Sequence, residues 1–139
     1  MTFDLTPAPS PSRPPADFYT RVGGDRFFLD LVAEFYRGVA TDEALRVLYP
    51  EYPNLAPAEE RFRLFLMQYW GGPGTYSEQR GHPRLRMRHS PFPVTVEMRD
   101  RWLGHMRAAL DQLAPEPELE GWLWRYFEMA ADSMRNVEE

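Results

Sequence analysis

The chain has 139 residues, 16.3 kDa and 43% hydrophobic residues, which suits one domain around one core and excludes a wholly disordered chain. With 21 acidic residues against 16 basic ones the formal net charge is −5, which argues against general nucleic-acid binding while leaving room for a local basic patch. The absence of cysteine excludes a disulfide framework, an iron–sulfur cluster and thioether-linked haem, and fits a reducing compartment.

Residues 1–16, MTFDLTPAPSPSRPPA, are rich in proline and offer little to bury, so they are predicted to be a disordered tail ahead of a folded domain at 17–137. They lack the basic start and apolar stretch of a secretion signal, and no apolar run in the chain approaches a membrane span. The expectation is a cytoplasmic protein. A short turn, DFYTRV, leads to Gly23-Gly24, read as a break between two helices. In DRFFLDLVAEFYRGVA the residues Phe28, Val32, Phe35, Tyr36 and Val39 recur at spacings of three and four, predicting an amphipathic helix capped by Asp25. A helix of one or two turns, DEALRVL, follows and stops at Tyr49-Pro50, because the residue before proline resists helical geometry.

A third helix is expected from Pro57, with the stripe Ala58, Phe62, Phe65, Leu66 and Tyr69, ending at GGPG. Residues 75–82 show no period and read as loop. PRLRMRH is predicted as a short helix halted by Pro91. A long helix from Thr95 carries Met98, Trp102, Met106, Ala109 and Leu113 up to PEP at 115–117. The last helix holds Leu119, Leu123, Tyr126, Phe127, Ala130 and Met134 in register. With no strand pattern and no repeat, the fold class is all-α.

Residues 80–92, RGHPRLRMRHSPF, place four arginines and two histidines in a segment without an acidic residue. Of the three histidines, His82 lies between Gly81 and Pro83, where a loop role suffices, and His105 flanks the Trp102 stripe. His89 ends the predicted short helix, with Leu85 one turn earlier and Phe92 just after it to supply an apolar wall. A zinc or non-haem iron site needs several ligands at defined spacing, and the chain has no His-x-x-x-His or Glu-x-x-His pair. A single protein ligand does suffice for iron already held by four porphyrin nitrogens. Haem also carries two propionates, for which Arg88 and Arg61 are the candidate partners.

The run AEERFRLFLMQYWGGPGTYSEQRGHPRLRMRHSPF, with VGG before it and RDRWL after it, resembles the group II (O-type) truncated haemoglobins over roughly residues 17–135. The resemblance implies a truncated globin, a two-over-two α-helical sandwich around a haem. In it the first helix is cut down, and loop replaces most of the helix bearing the haem-linked histidine. It implies non-covalent haem b with His89 as the proximal iron ligand. On the distal side it implies Tyr36 as the family's distal tyrosine, Tyr49 where most globins keep phenylalanine, and Trp102 as the tryptophan that marks the group. Ala58 falls at the distal gate position, and Phe62 one turn on, where relatives often have leucine or glutamine. The implied ligands are dioxygen, carbon monoxide and nitric oxide. Since Ala58 has no side-chain donor, Trp102 is expected to dominate ligand retention, with Tyr36 and Tyr49 assisting. Three functions stay open: reversible ligand binding, a redox enzyme reducing peroxide or dioxygenating nitric oxide with a separate reductase, and a haem-free helical interaction module. The sequence leaves assembly into homo-oligomers undetermined.

Overall fold

The structure, a computed structural model, describes residues 14–80 and 94–135. The predicted short helix at 83–89 therefore lies outside the described residues, and with it His82, Leu85, Arg88, His89 and Phe92. The described residues form six α-helices and no strand: α1 Phe18–Val22, α2 Gly24–Val39, α3 Ala56–Tyr69, α4 Thr75–Arg80, α5 Val96–Leu113 and α6 Pro117–Ser133. A 3-10 turn, Leu45–Leu48, joins α2 to α3. The arrangement is the two-over-two sandwich: α2 packs on both α3 and α5, and α5 packs on α6.

The core follows from the apolar spacings. On α2, Phe27, Phe28, Leu31, Val32, Phe35, Tyr36 and Val39 are all buried, because that helix meets a neighbour on more than one side. On α6 the predicted Leu119, Leu123, Tyr126, Phe127 and Ala130 are buried, while Met134 falls just past the helix end. α5 starts at the predicted place, and Thr95 caps it, its Oγ1 accepting from the Met98 N–H at 3.1 Å. No described helix is long and apolar enough to cross a membrane.

Three local expectations are corrected, and one holds. DFYTRV forms α1, the helix before the glycine break, although five residues are too few to hold one alone. The buried Phe18 stacks on Trp70 at 4.4 Å between ring centroids, so a distant partner stabilises it. The cap of α2 is Gly23, with φ 125°, followed by Gly24 at φ 64°, a left-handed pair that reverses the chain where side chains would be strained. Asp25 instead occupies the first turn, where a carboxylate favours the helix N-terminus, and accepts from the Tyr19 hydroxyl.

Residues 75–80, expected as loop, form α4. Gln68 fastens it, accepting from the Ser77 N–H at 2.9 Å and donating to Ser77 Oγ at 2.7 Å, and Tyr76 buries its ring edge-on to Phe65. Tyr69, placed on the buried stripe of α3, is half exposed. The GGPG stop works by close approach: a Cβ on Gly72 would lie 2.5 Å from the Tyr19 ring, while its N–H closes onto the Met67 carbonyl at 2.7 Å.

Candidate functional site

Three polar-tipped aromatics and two apolar ones meet at the C-terminal end of α2. Tyr36 and Phe35 are neighbours near its C-terminal end. Trp102, on α5, lies against Phe35 at 4.9 Å between centroids and against Phe62 of α3 at 5.9 Å. Tyr49, which ends the 3-10 turn, sets its ring edge-on to Tyr36 at 5.6 Å, and Tyr36 does the same to Phe62 at 6.3 Å. The structure thus brings Tyr36, Tyr49, Phe62 and Trp102 together, with the buried Ala58 one turn before Phe62 on α3.

The polar tips in this apolar setting find each other. Tyr36 and Trp102 are the hydrogen-bonding neighbours that act on the Tyr49 hydroxyl. The indole N–H can only donate, so Tyr49 Oη accepts from it. Burial raises the Tyr36 phenol well above its ordinary value, and the contact with Tyr49 raises it further, as befits a donor. Burial also pushes Tyr49 up, while the two incoming hydrogen bonds pull it back, leaving it at about 12.

Of the proposed propionate partners, Arg61 pairs with Glu51 at 3.0 Å, both of them partly exposed. Asp42 carries a role that the helix spacings do not signal. Its carboxylate is almost wholly buried and accepts from the Leu45 N–H at 3.2 Å and from Arg101 Nη1 at 3.0 Å, with His105 Nε2 at 2.9 Å from its other oxygen. An aspartate three residues before the start of a helical run is a capping signal that could have identified it. Burial raises its pKa, yet the hydrogen bonds from His105, Leu45 and Arg101 outweigh that and hold the carboxyl below the usual range.

The bacterial-like globin family matches residues 17–136. The chain is 39% identical over 116 residues to the group 2 truncated haemoglobin YjbI of Bacillus subtilis (strain 168), covering 84% of this chain and 86% of that protein. The chain belongs to the bacterial-like globins, as a group II truncated haemoglobin. Solved globins agree in shape. A thermostable haemoglobin from the actinobacterium Thermobifida fusca superposes with a TM-score of 0.85 at 61% identity, over 88% of this chain and 98% of its own. The group II truncated haemoglobin from Bacillus anthracis gives a TM-score of 0.84 at 30% identity, over 91% and 96%.

Membership in this family of globins implies haem and a small diatomic ligand. The described residues fit such a group. Phe62 on α3, with Met98 and Trp102 on α5, are apolar side chains packed on the core yet only half-buried. A flat apolar molecule would cover surface that water otherwise wets, at a gain of roughly 25 cal/mol per Å².

Proposed function

We propose that this truncated haemoglobin binds one non-covalent haem b through His89 and reversibly takes dioxygen, carbon monoxide or nitric oxide. When bound, haem supplies iron with one coordination position open to such a ligand. In this reading Leu85 and Phe92 wall the proximal side, and Arg88 and Arg61 serve the propionates. Phe62 and Trp102 press on the distal face, while Ala58, too small to reach the ligand and without a donor, leaves it room. Tyr36, Tyr49 and Trp102 supply the polarity. A dioxygen ligand draws partial negative charge, which a preorganised donor in an apolar site stabilises without having to reorganise.

The observation carrying the reading is the meeting of Tyr36, Tyr49 and Trp102 within an otherwise apolar cluster. Three polar tips brought to one place would cost several kcal/mol if left unpaired, roughly 1–3 each. A bound ligand is a partner that such tips can serve.

The test is haem titration of the wild type and of His89→Ala. Wild type should take up one haem, and the variant should lose it or hold it only with added imidazole. Full occupancy with an unchanged ferrous spectrum in His89→Ala would remove His89 from the iron.

A further inference from the structure

We propose that Asp42 and His105 form a clamp that positions the Tyr49 hydroxyl against the Trp102 indole; the inference rests on the reading that these two side chains face the ligand. Tyr49 and Trp102 come from segments far apart in sequence. Tyr49 ends the 3-10 turn Leu45–Leu48, and Trp102 sits mid-way along α5. A hydrogen bond between their tips needs those two backbones held at a fixed offset, and ring packing alone gives little resistance to sliding.

Asp42 supplies the tie. One carboxylate oxygen caps the 3-10 turn through the Leu45 N–H, so the carboxylate moves with the segment that delivers Tyr49. The same oxygen takes Arg101, and the other takes His105, so both anchors flank Trp102 on α5. The two differ in quality. Arg101 is partly exposed and shared with Glu97, so its pairing contributes little on its own. His105 is mostly buried, and since an ionised Asp42 can only accept, His105 Nε2 must carry the proton between them.

The imidazole is wedged on its other side as well. A Cβ on Gly38 of α2 would lie 2.5 Å from His105 Nδ1, so glycine there lets the ring reach between α2 and the carboxylate. Thr41 Oγ1 donates to the Gly38 carbonyl at 2.8 Å and fixes the chain on its way into Asp42. The clamp therefore joins α2, the 3-10 turn and the Trp102 turn of α5 at one buried carboxylate. Asp42 and His105 act on the ligand only through Tyr49 and Trp102.

Asp42→Ser separates cap from clamp, because serine still caps the turn but is too short to hold His105. In the carbon-monoxide form of the holoprotein, the infrared C–O stretch reports the donors facing the ligand. Asp42→Ser and His105→Leu should each shift that band and speed oxygen release by roughly three- to tenfold, an ordinary size for coupling through a contact. The double variant should add little beyond either one, since both cut the same link. Amide exchange at Tyr49, whose N–H bonds the Arg46 carbonyl at 2.8 Å, should quicken in the same variants. Arg99→Gln, on the same helix as Trp102, breaks pairs to Asp100 and to Asp132 of α6; it is the control for lost stability and should leave the band in place. If Trp102→Phe moves the band but Asp42→Ser and His105→Leu do not, the clamp is overturned and the donor reading stands. If Trp102→Phe and Tyr49→Phe both leave it unmoved, the donor reading falls and takes the clamp with it.

Discussion

Tyr49 is the residue on which the pocket's polarity turns, because two donors already converge on its oxygen. Trp102→Phe removes an indole donor and at the same time stops polarising the Tyr49 O–H, a cooperative loss. Without the indole to hold it, the Tyr49 hydroxyl turns to other partners and the ligand loses its hydrogen bond, which contributes about 1.5–3 kcal/mol. With about 1.4 kcal/mol to a factor of ten, stopped-flow oxygen dissociation should therefore quicken by roughly one to two decades. Tyr36→Phe should act in the same direction but less, since its hydroxyl is spent on Tyr49. Tyr49→Phe frees the indole for the ligand and should also cost less than losing Trp102. Carbon monoxide, with less charge on its outer atom, should respond more weakly throughout. A change of less than about twofold in Trp102→Phe, under 0.5 kcal/mol, would reduce the indole to packing. The same residue sets a pH limit. Its phenol is raised in the fold from 10.0 to about 12, so the protonated form is the favoured one. The stabilisation is complete below the unfolded value near pH 10 and is lost as pH rises through about 12. Oxygen release should be flat from about pH 6 to 10 and accelerate above that, as a phenolate repels the ligand's partial charge. An inflection near neutrality that survives in Tyr49→Phe would point to another group.

At the scale of elements, the long helices announce themselves and the short ones do not. The spacings on α2, α5 and α6 come from side chains that must be buried on a 3.6-residue period, and this is a property of the sequence alone. A helix of five or six residues has no period to show, and α1 and α4 exist because Trp70 receives Phe18 and Gln68 receives Ser77. The cap of α5 is legible because Thr95 directly precedes the periodic run, and it matters here because α5 carries Trp102. Thr95→Ala should cost about 1 kcal/mol by losing the Met98 N–H acceptor. For a chain of this size that lowers the melting temperature by roughly 3–5 °C, with Thr95→Ser recovering most of it in the same thermal scan.

For the molecule as a whole, we expect the proline-rich start and the helical domain to be separable in what they contribute. Among the described residues, Phe18 is the first that is buried, and α1 is tied back only as far as the Pro15 carbonyl, which accepts from the Phe18 N–H at 3.1 Å. We therefore expect deletion of residues 1–13 to leave the visible spectrum and the oxygen dissociation rate within about twofold of the full chain, less than 0.5 kcal/mol. A larger change would mean that those residues reach the ligand's route into the pocket. The two-over-two frame is the reason to expect that tolerance. Its walls come from α2, α3, α5 and the turn before α3, all of them packed on one another.

By itself the sequence determined the fold class, because apolar periodicity specifies amphipathic helices and nothing in it specifies strands. It also singled out His89, Tyr36, Tyr49 and Trp102, because the runs that carry the resemblance are long enough to align residue by residue. Which of those tips meets which was decided only by tertiary structure. Tyr36, Tyr49 and Trp102 stand 13 and 53 residues apart along the chain, and no local pattern records that two of them donate to the third. Asp42 shows the same division. Its capping role is local and readable, but the hydrogen bond it makes 63 residues away with His105 exists only once α2 and α5 have packed around Gly38. Short-range geometry is written in spacing, whereas long-range hydrogen bonds depend on how whole helices pack.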